Sequence, residues 1–335
     1  MKAEAIKVEI SPKGTPVLVN GLRVGENTFI VSGKRVRTAR LKNEWQEDVT
    51  DPYAVMAALR SAPLRIDLLN FWQRIPDQEV KFPFYHEWRD VAAIPITTFE
   101  HWWEKQIRFR ARNKMRKAQK LGVVVEEVKF NDDFVAGVVE IYNQSPVRRG
   151  KPFRHYGKDF ATVKAELSVD LDEAVFVGAY HEGELIGFVK FLIADRYAMV
   201  TLILDKIVHR DKSPMNGMMA KVVEICARRK IPYFTYTLWR RGDHGKFQES
   251  VGFEKFPVPE YYIPLTLVGR AALALRLHKG VIGAVPEPVV VQLLAWRANY
   301  YERKYAGQIP RPIANRSASE TSRVGEAVDT GIHCQ

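Results

Sequence analysis

Apolar and polar positions alternate through much of the first 45 residues, and a period of two is that of a strand with one buried face. Lys7–Ile10, Pro16–Val19, Asn27–Val31 and Arg35–Leu41 read as short strands. Ser32-Gly33-Lys34 joins the last two, a hairpin signal. At Asp51-Pro52 the period changes. Asp suits the N-cap and Pro the first helical position, and Val55, Met56 and Leu59 then share one face. Ile66–Trp72 reads as a buried strand, Pro76 to Trp88 as a stretch rich in proline and aromatics, and Val91–Ile96 as another strand.

The spacing predicts a long helix over 99–121, with Trp103, Ile107, Ala111, Met115 and Ala118 as its core-facing stripe and Gly122 as its stop. A strand at Val123–Phe130 and a helix at Asp132–Tyr142 follow, then a polar, basic loop at Asn143–Lys158 and a helix at Phe160–Leu167. Strands at Ala174–His181 and Leu185–Ala194 meet at Glu182-Gly183-Glu184, and Ala198–Val208 is a third. After the loop His209–Asn216 come a helix Gly217–Lys230, a strand Tyr233–Thr237 and a short helix Gly245–Val251 ending at Gly252-Phe253. Two further helices are expected at about 265–279 and 287–304, and a disordered tail, poor in apolar residues, at 306–335. The expected division is 1–98, 99–265 and 266–305, followed by that tail.

Composition narrows the class. With 46% hydrophobic and 27% charged residues the chain is an ordinary folded α/β protein. Its two cysteines, Cys226 and Cys334, make no disulfide framework, and no His/Cys spacing suggests a metal. The start, MKAEAIKVEISPKG, has no apolar core of a signal peptide, and the apolar stretches 263–277 and 281–295 are interrupted before they reach membrane-spanning length. A cytoplasmic protein is expected. The balance of 51 Lys+Arg against 39 Asp+Glu, a net charge of +12, attracts polyanions: nucleic acid, an acidic membrane surface or a phosphate-bearing ligand.

Three segments carry the motifs. Val175 to Lys190 reads VFVGAYHEGELIGFVK, a hairpin whose Gly187 permits close approach of backbone or ligand. Phe247-Gln-Glu-Ser-Val-Gly-Phe253 closes a short helix, and Arg112-Asn-Lys-Met-Arg-Lys-Ala-Gln-Lys-Leu-Gly122 precedes a valine-rich strand. The first two, with the element order over roughly 165–256, resemble the GNAT superfamily of acyltransferases. The third resembles the Arg-x-x-x-Arg-Lys-Ala-x-x-x-Gly-Val signature of Fem-type aminoacyl-transferases, which pair two GNAT-like domains, the first degenerate. That resemblance implies a GNAT-like mixed sheet flanked by helices, preceded by a smaller, degenerate GNAT-like α/β domain. It also implies an enzyme that moves an acyl or aminoacyl group onto an amine-bearing acceptor, from acyl-CoA or from aminoacyl-tRNA. The loop Arg210-Asp-Lys-Ser-Pro-Met-Asn216-Gly217 departs from the GNAT phosphate pattern, and Gln248 stands where the closing motif usually has a tyrosine.

Amine acylation needs an oxyanion donor and a proton acceptor. Asp205 and His209 are the candidate proton acceptors, with surface or capping roles as the rival reading. Arg210, Lys212, Asn216 and Gly217 form a candidate anion site at a helix N-terminus, with Asn216 as the expected N-cap. Arg108, Arg112, Arg116 and Lys120 recur every four residues, and like charges at that spacing cost helix stability. With Arg149 and Arg154 they are candidate contacts for tRNA or another polyanion. Two readings without catalysis stay open: a degenerate GNAT-like module that binds RNA through the basic helix, and association of 265–304 with a membrane surface.

Overall fold

The structure is a computed structural model, and it describes residues 1–10, 17–148, 150–239, 242–279 and 287–310. In chain order its strands and helices are β1 (Ala3–Ile10), β2 (Val17–Val24), β3 (Asn27–Ser32), β4 (Thr38–Leu41), α1 (Pro52–Arg60), β5 (Leu68–Trp72), β6 (His86–Pro95), α2 (Phe99–His101), α3 (Phe109–Lys120), β7 (Val124–Val128), α4 (Asp132–Asn143), β8 (Val147–Arg148), β9 (Lys151–Pro152), α5 (Phe160–Leu167), β10 (Ala174–His181), β11 (Glu184–Ala194), β12 (Tyr197–Asp205), α6 (Pro214–Arg228), β13 (Tyr233–Leu238), α7 (Gly242–Ser250), β14 (Glu254–Pro264), α8 (Leu267–Ala274) and α9 (Glu287–Lys304). The described residues fall into two compact units, one drawn from 1–91 and 255–287 and the other from 92–254 and 288–310. The chain therefore returns to its first unit near 255.

In the first unit the strands run β1-β2-β3-β4-β5-β14, antiparallel except for the parallel β4–β5 pair. Leu22, Phe29, Leu69, Phe71 and Tyr261 form its core with Val55 and Leu59 of α1. Asp51 caps α1 as its position suggests, accepting from the Ala54 amide at 3.0 Å. β14 is absent from the sequence reading, because Pro257, Pro259 and Pro264 argue against a central strand. It nonetheless pairs with β5 over Glu260–Pro264.

The second unit is built on β13-β12-β11-β10-β7, with β12 and β13 parallel and the other neighbours antiparallel. One face packs on α3 and α6 through Val177, Phe191, Ile203, Met218 and Val222. The other packs on α4 and α5 through Phe134, Tyr142, Phe176 and Phe188. Gly187 lies close under α6: a Cβ there would stand 3.0 Å from Met218 Cε. The expected helix 99–121 is broken. A π turn over Trp102–Gln106 follows α2, Ile107 and Arg108 are extended, and the Arg108 amide donates to the Ser250 carbonyl at 3.0 Å. Of the expected stripe, Ala111, Met115 and Ala118 are buried on α3 and Ile107 is buried in the extended link, whereas Trp103, on the π turn, is half-buried.

Candidate active site

The parallel pair β12–β13 forms at Tyr197↔Tyr233, Ala198↔Phe234 and Met199↔Thr235 and goes no further. β12 continues to Asp205 against β11 alone. The β11–β12 register slips between Lys190 and Phe191, which face Leu202 and Val200, so Thr201 is the extra residue of a β-bulge. Its side chain is exposed, and its hydroxyl donates to the Lys190 carbonyl at 3.1 Å. A bulge re-aims backbone groups. Here it lies just past the last β12–β13 pair, so on the β13 side the main chain of 200–204 has no strand pairing among the described residues, while its other side stays in the β11 ladder.

Polar side chains gather at the far end of β12. Arg148 donates to the Asp205 carbonyl at 2.8 Å and to the Ile141 carbonyl at 2.9 Å, and its guanidinium lies 4.9 Å from the Phe153 ring centroid. The Asp205 carboxylate accepts from Arg210 Nε at 3.1 Å. Lys206, 7% exposed at its side chain, joins Glu140 and Glu184. Burial alone would lower the Lys206 pKa, but the two carboxylates outweigh it and raise it. Burial likewise works to raise Glu184, and Lys206 with His209 holds it below the usual carboxylate value. His209 Nε2 lies 3.2 Å from Glu184 Oε2, while the buried Nδ1 has no hydrogen-bond partner. If Nε2 carries the proton and donates to Glu184, Nδ1 is left as an acceptor.

Asp205 and His209 are thus neighbours, but on the β11 side of β12 and not on the side where β13 departs. Glu184, Lys206 and the bulge at Thr201 were not singled out from sequence. The available signal was the abrupt change from an apolar run to Asp205-Lys206; the hairpin residue Glu184 reads only as a turn.

The loop after β12 is a 3-10 turn, Ile207–Lys212, and α6 begins at Pro214, three residues before the expected Gly217. Asn216 is therefore inside the first turn and not the N-cap. Ser213 takes the cap position with φ 57°, without a side-chain cap. A pyrophosphate cradle needs free amides at a helix N-terminus. Pro214 has none, and the Asn216 and Gly217 amides both donate to the Ser213 carbonyl, at 3.1 and 3.4 Å. Arg210 is engaged with Asp205, Lys212 is buried 3.7 Å from Asp211, and the Asp211 carboxylate itself would repel a phosphate. These residues fit the pyrophosphate of CoA poorly.

The basic segment divides. Arg108 stands at the N-cap of α3 and pairs with Glu249. Arg112 and Arg116 both lie 5.9 Å from the Trp103 ring centroid, and Arg112 donates to the Glu104 carbonyl at 3.2 Å. Arg116 and Lys120 form no ion pair among the described residues. Arg154 donates through Nε to His155 Nε2 at 2.8 Å. Arg149 lies outside the described residues. The structure gathers Asp205, His209, Arg210 and Lys212 along one strand end and its turn, and Arg108, Arg112, Arg116 and Lys120 along a separate helix.

Solved structures share this architecture. FemX is 9% identical over 82% of this chain and 90% of that one, with a TM-score of 0.53. The C-terminal domain of a putative lysylphosphatidylglycerol synthetase from Agrobacterium fabrum is 14% identical over 82% and 88%, with a TM-score of 0.51. L-PGS from Bacillus licheniformis is 13% identical over 78% and 87%, with a TM-score of 0.52. The fold is GNAT/Fem-like. At these identities the likeness concerns the fold. No protein-family model matches the chain, and no curated protein matches it in sequence. Among the described residues no helix is long and apolar enough to cross a membrane.

Proposed function

We propose that the protein is an acyltransferase that moves an aminoacyl group from an ester donor to an amine, with the reacting carbonyl in the gap between β12 and β13. The observation that carries this reading is the end of pairing at Met199↔Thr235 followed at once by the bulge at Thr201. Main-chain N–H groups in such a gap are fixed dipoles that can stabilise the oxyanion of a tetrahedral intermediate without an unusual side chain. The amine nitrogen bonds to the acyl carbon, the ester C–O bond breaks, and the departing hydroxyl takes a proton equivalent to the one the amine loses. Water at the gap is the proton acceptor in this scheme, since His209 lies on the β11 side of β12 with Nδ1 buried; the Glu184–His209 pair braces that side of the strand end. Asp205 serves by anchoring Arg210.

Aminoacyl-tRNA is the donor this reading favours over acyl-CoA. The amides at the start of α6 are already hydrogen-bonded, while Arg112 and Arg116 stand on Trp103 without a carboxylate partner among the described residues, a surface suited to phosphate and base. The shared fold of FemX, L-PGS and the putative lysylphosphatidylglycerol synthetase domain is consistent with this reading and leaves this chain's substrates open. The test incubates the full chain with charged tRNA, or with acyl-CoA, and a panel of amines, and follows amide formation by mass spectrometry. Amide formed from charged tRNA alone is the expected result. Product from acyl-CoA alone would reverse the donor assignment, and product from neither would remove the enzyme reading.

A further inference from the structure

The exposed surface of α9 is not accounted for by the transfer reaction. Val289, Leu293, Trp296 and Tyr300 are exposed by 45%, 59%, 71% and 50%. They follow one another at intervals of four, three and four residues, so at about 100° per residue they form a single stripe about 60° wide. The Trp296 and Tyr300 rings stack along it, with centroids 6.2 Å apart and planes 21° apart. Ala298, about 170° round the helix from the middle of the stripe, packs on Gly150: a Cβ at Gly150 would stand 2.4 Å from that of Ala298. The back of α9 is therefore seated on its own unit while the apolar face is turned to solvent. An exposed stripe of large apolar and aromatic side chains marks a contact surface.

Charge on the same helix selects the kind of partner. Arg303 and Lys304, both exposed, and the half-buried Arg297 all fall within about 70° of the stripe's centre, on both of its flanks, whereas the exposed Glu302 falls about 150° away. The outward face thus combines aliphatic residues in the first half, stacked aromatics in the second and cations along the edges. An anionic lipid surface complements both parts, since its headgroups attract the cations and its acyl boundary takes the stripe. We infer that α9 is a membrane-surface docking helix, lying in the plane of an anionic bilayer with Leu293, Trp296 and Tyr300 inserted at the headgroup level.

The experiment is co-sedimentation of the full chain with phosphatidylcholine vesicles, with and without phosphatidylglycerol, at low and at physiological salt. Three proteins are compared: the unaltered chain, Leu293→Ser/Trp296→Ser, and Arg297→Gln/Arg303→Gln/Lys304→Gln. All the altered side chains are solvent-facing or half-buried, and melting curves with circular dichroism check that each variant keeps the fold. The unaltered chain is expected to bind the anionic vesicles, and each variant to bind at least about tenfold more weakly. Salt should reduce what remains in the serine variant, and neutral vesicles should retain little of any protein. No binding to anionic vesicles at low salt overturns the inference. So does binding that neither variant weakens, which would place the contact on another basic face such as α3. Analytical ultracentrifugation supplies the remaining outcome: a dimer that Leu293→Ser/Trp296→Ser converts to monomer would make the stripe an interface between copies and overturn the lipid assignment.

Discussion

Met199 and Thr235 are the last residues at which β12 and β13 pair, and the bulged residue Thr201 comes two positions later. Past this parting β12 continues on its other side against β11 as far as Asp205, and the gap is the space left on the β13 side. Thr201 is exposed and its hydroxyl anchors the bulge on the Lys190 carbonyl, so Thr201→Trp should release that anchor and crowd the bulge beside the gap without disturbing the core. Melting should shift by no more than an exposed substitution usually causes, about 0.5 kcal/mol. Amide formation should fall by at least about tenfold, since displacing a bound carbonyl from its oxyanion donors costs that much or more. Full activity with the tryptophan in place would move the reacting carbonyl elsewhere.

The basic helix gives a second expectation, and it separates its arginines. Arg112→Gln/Arg116→Gln removes two cations that stand over Trp103 and face no described carboxylate. Stability should hold, or rise slightly as repulsion between neighbours four apart is relieved. A titration with tRNA at several salt concentrations should show weaker binding and a salt slope shallower by about two, one for each lost phosphate contact. Arg108→Gln should instead lose the exposed pair with Glu249, a change of less than about 1 kcal/mol. An unchanged salt slope in the double variant would return these charges to general solubility.

How much of this could be read in advance follows from which interactions are local. The hairpin β10–β11 was legible because Glu182-Gly183 turns two apolar runs, and the Asp51 cap because capping is a matter of three residues. The break before α3 was not legible: Ile107 satisfies the helical stripe on either side of it, and what fixes the break is a bond from the Arg108 amide to Ser250, far along the chain. β14 was hidden by its prolines, which give way to pairing with β5. At the site, Asp205 and His209 were visible as polar residues ending an apolar run. Glu184 became a partner of His209 only through the pairing of β11 with β12, and the parting at Met199 depends on two strands separated by all of α6.

Donor chemistry yields another expectation from α6. With the Asn216 and Gly217 amides on the Ser213 carbonyl and Asp211 alongside, calorimetry with CoA should give no saturable binding below the millimolar range, where affinity is worth only about 4 kcal/mol. Micromolar binding abolished by Arg210→Ala/Lys212→Ala would show that the turn rearranges around a pyrophosphate, and acyl-CoA would become the favoured donor.

Acid stability should report a buried histidine away from the gap. His155 is 4% exposed, lies beneath the Tyr142 ring at 4.4 Å between centroids, and accepts from Arg154 Nε. Burial, then Lys158 and Arg154, pushes its pKa from 6.5 down to about 4, against the opposing pull of Glu166. A base whose folded pKa is depressed binds fewer protons in the native state than in the unfolded one between those two values. Stability therefore rises with pH across that window: the contribution is fully present above about pH 6.5 and is lost as pH falls towards 4. Melting temperatures taken from pH 7 to pH 4 should fall for the unaltered chain, and the fall should be shallower in His155→Gln, which has no proton to gain. Glu166 remains in that variant beside Lys158, so the comparison isolates the imidazole. If both proteins lose stability at the same rate, the acid sensitivity belongs to the carboxylates, and His155 is protonated as readily in the folded chain as in the unfolded one.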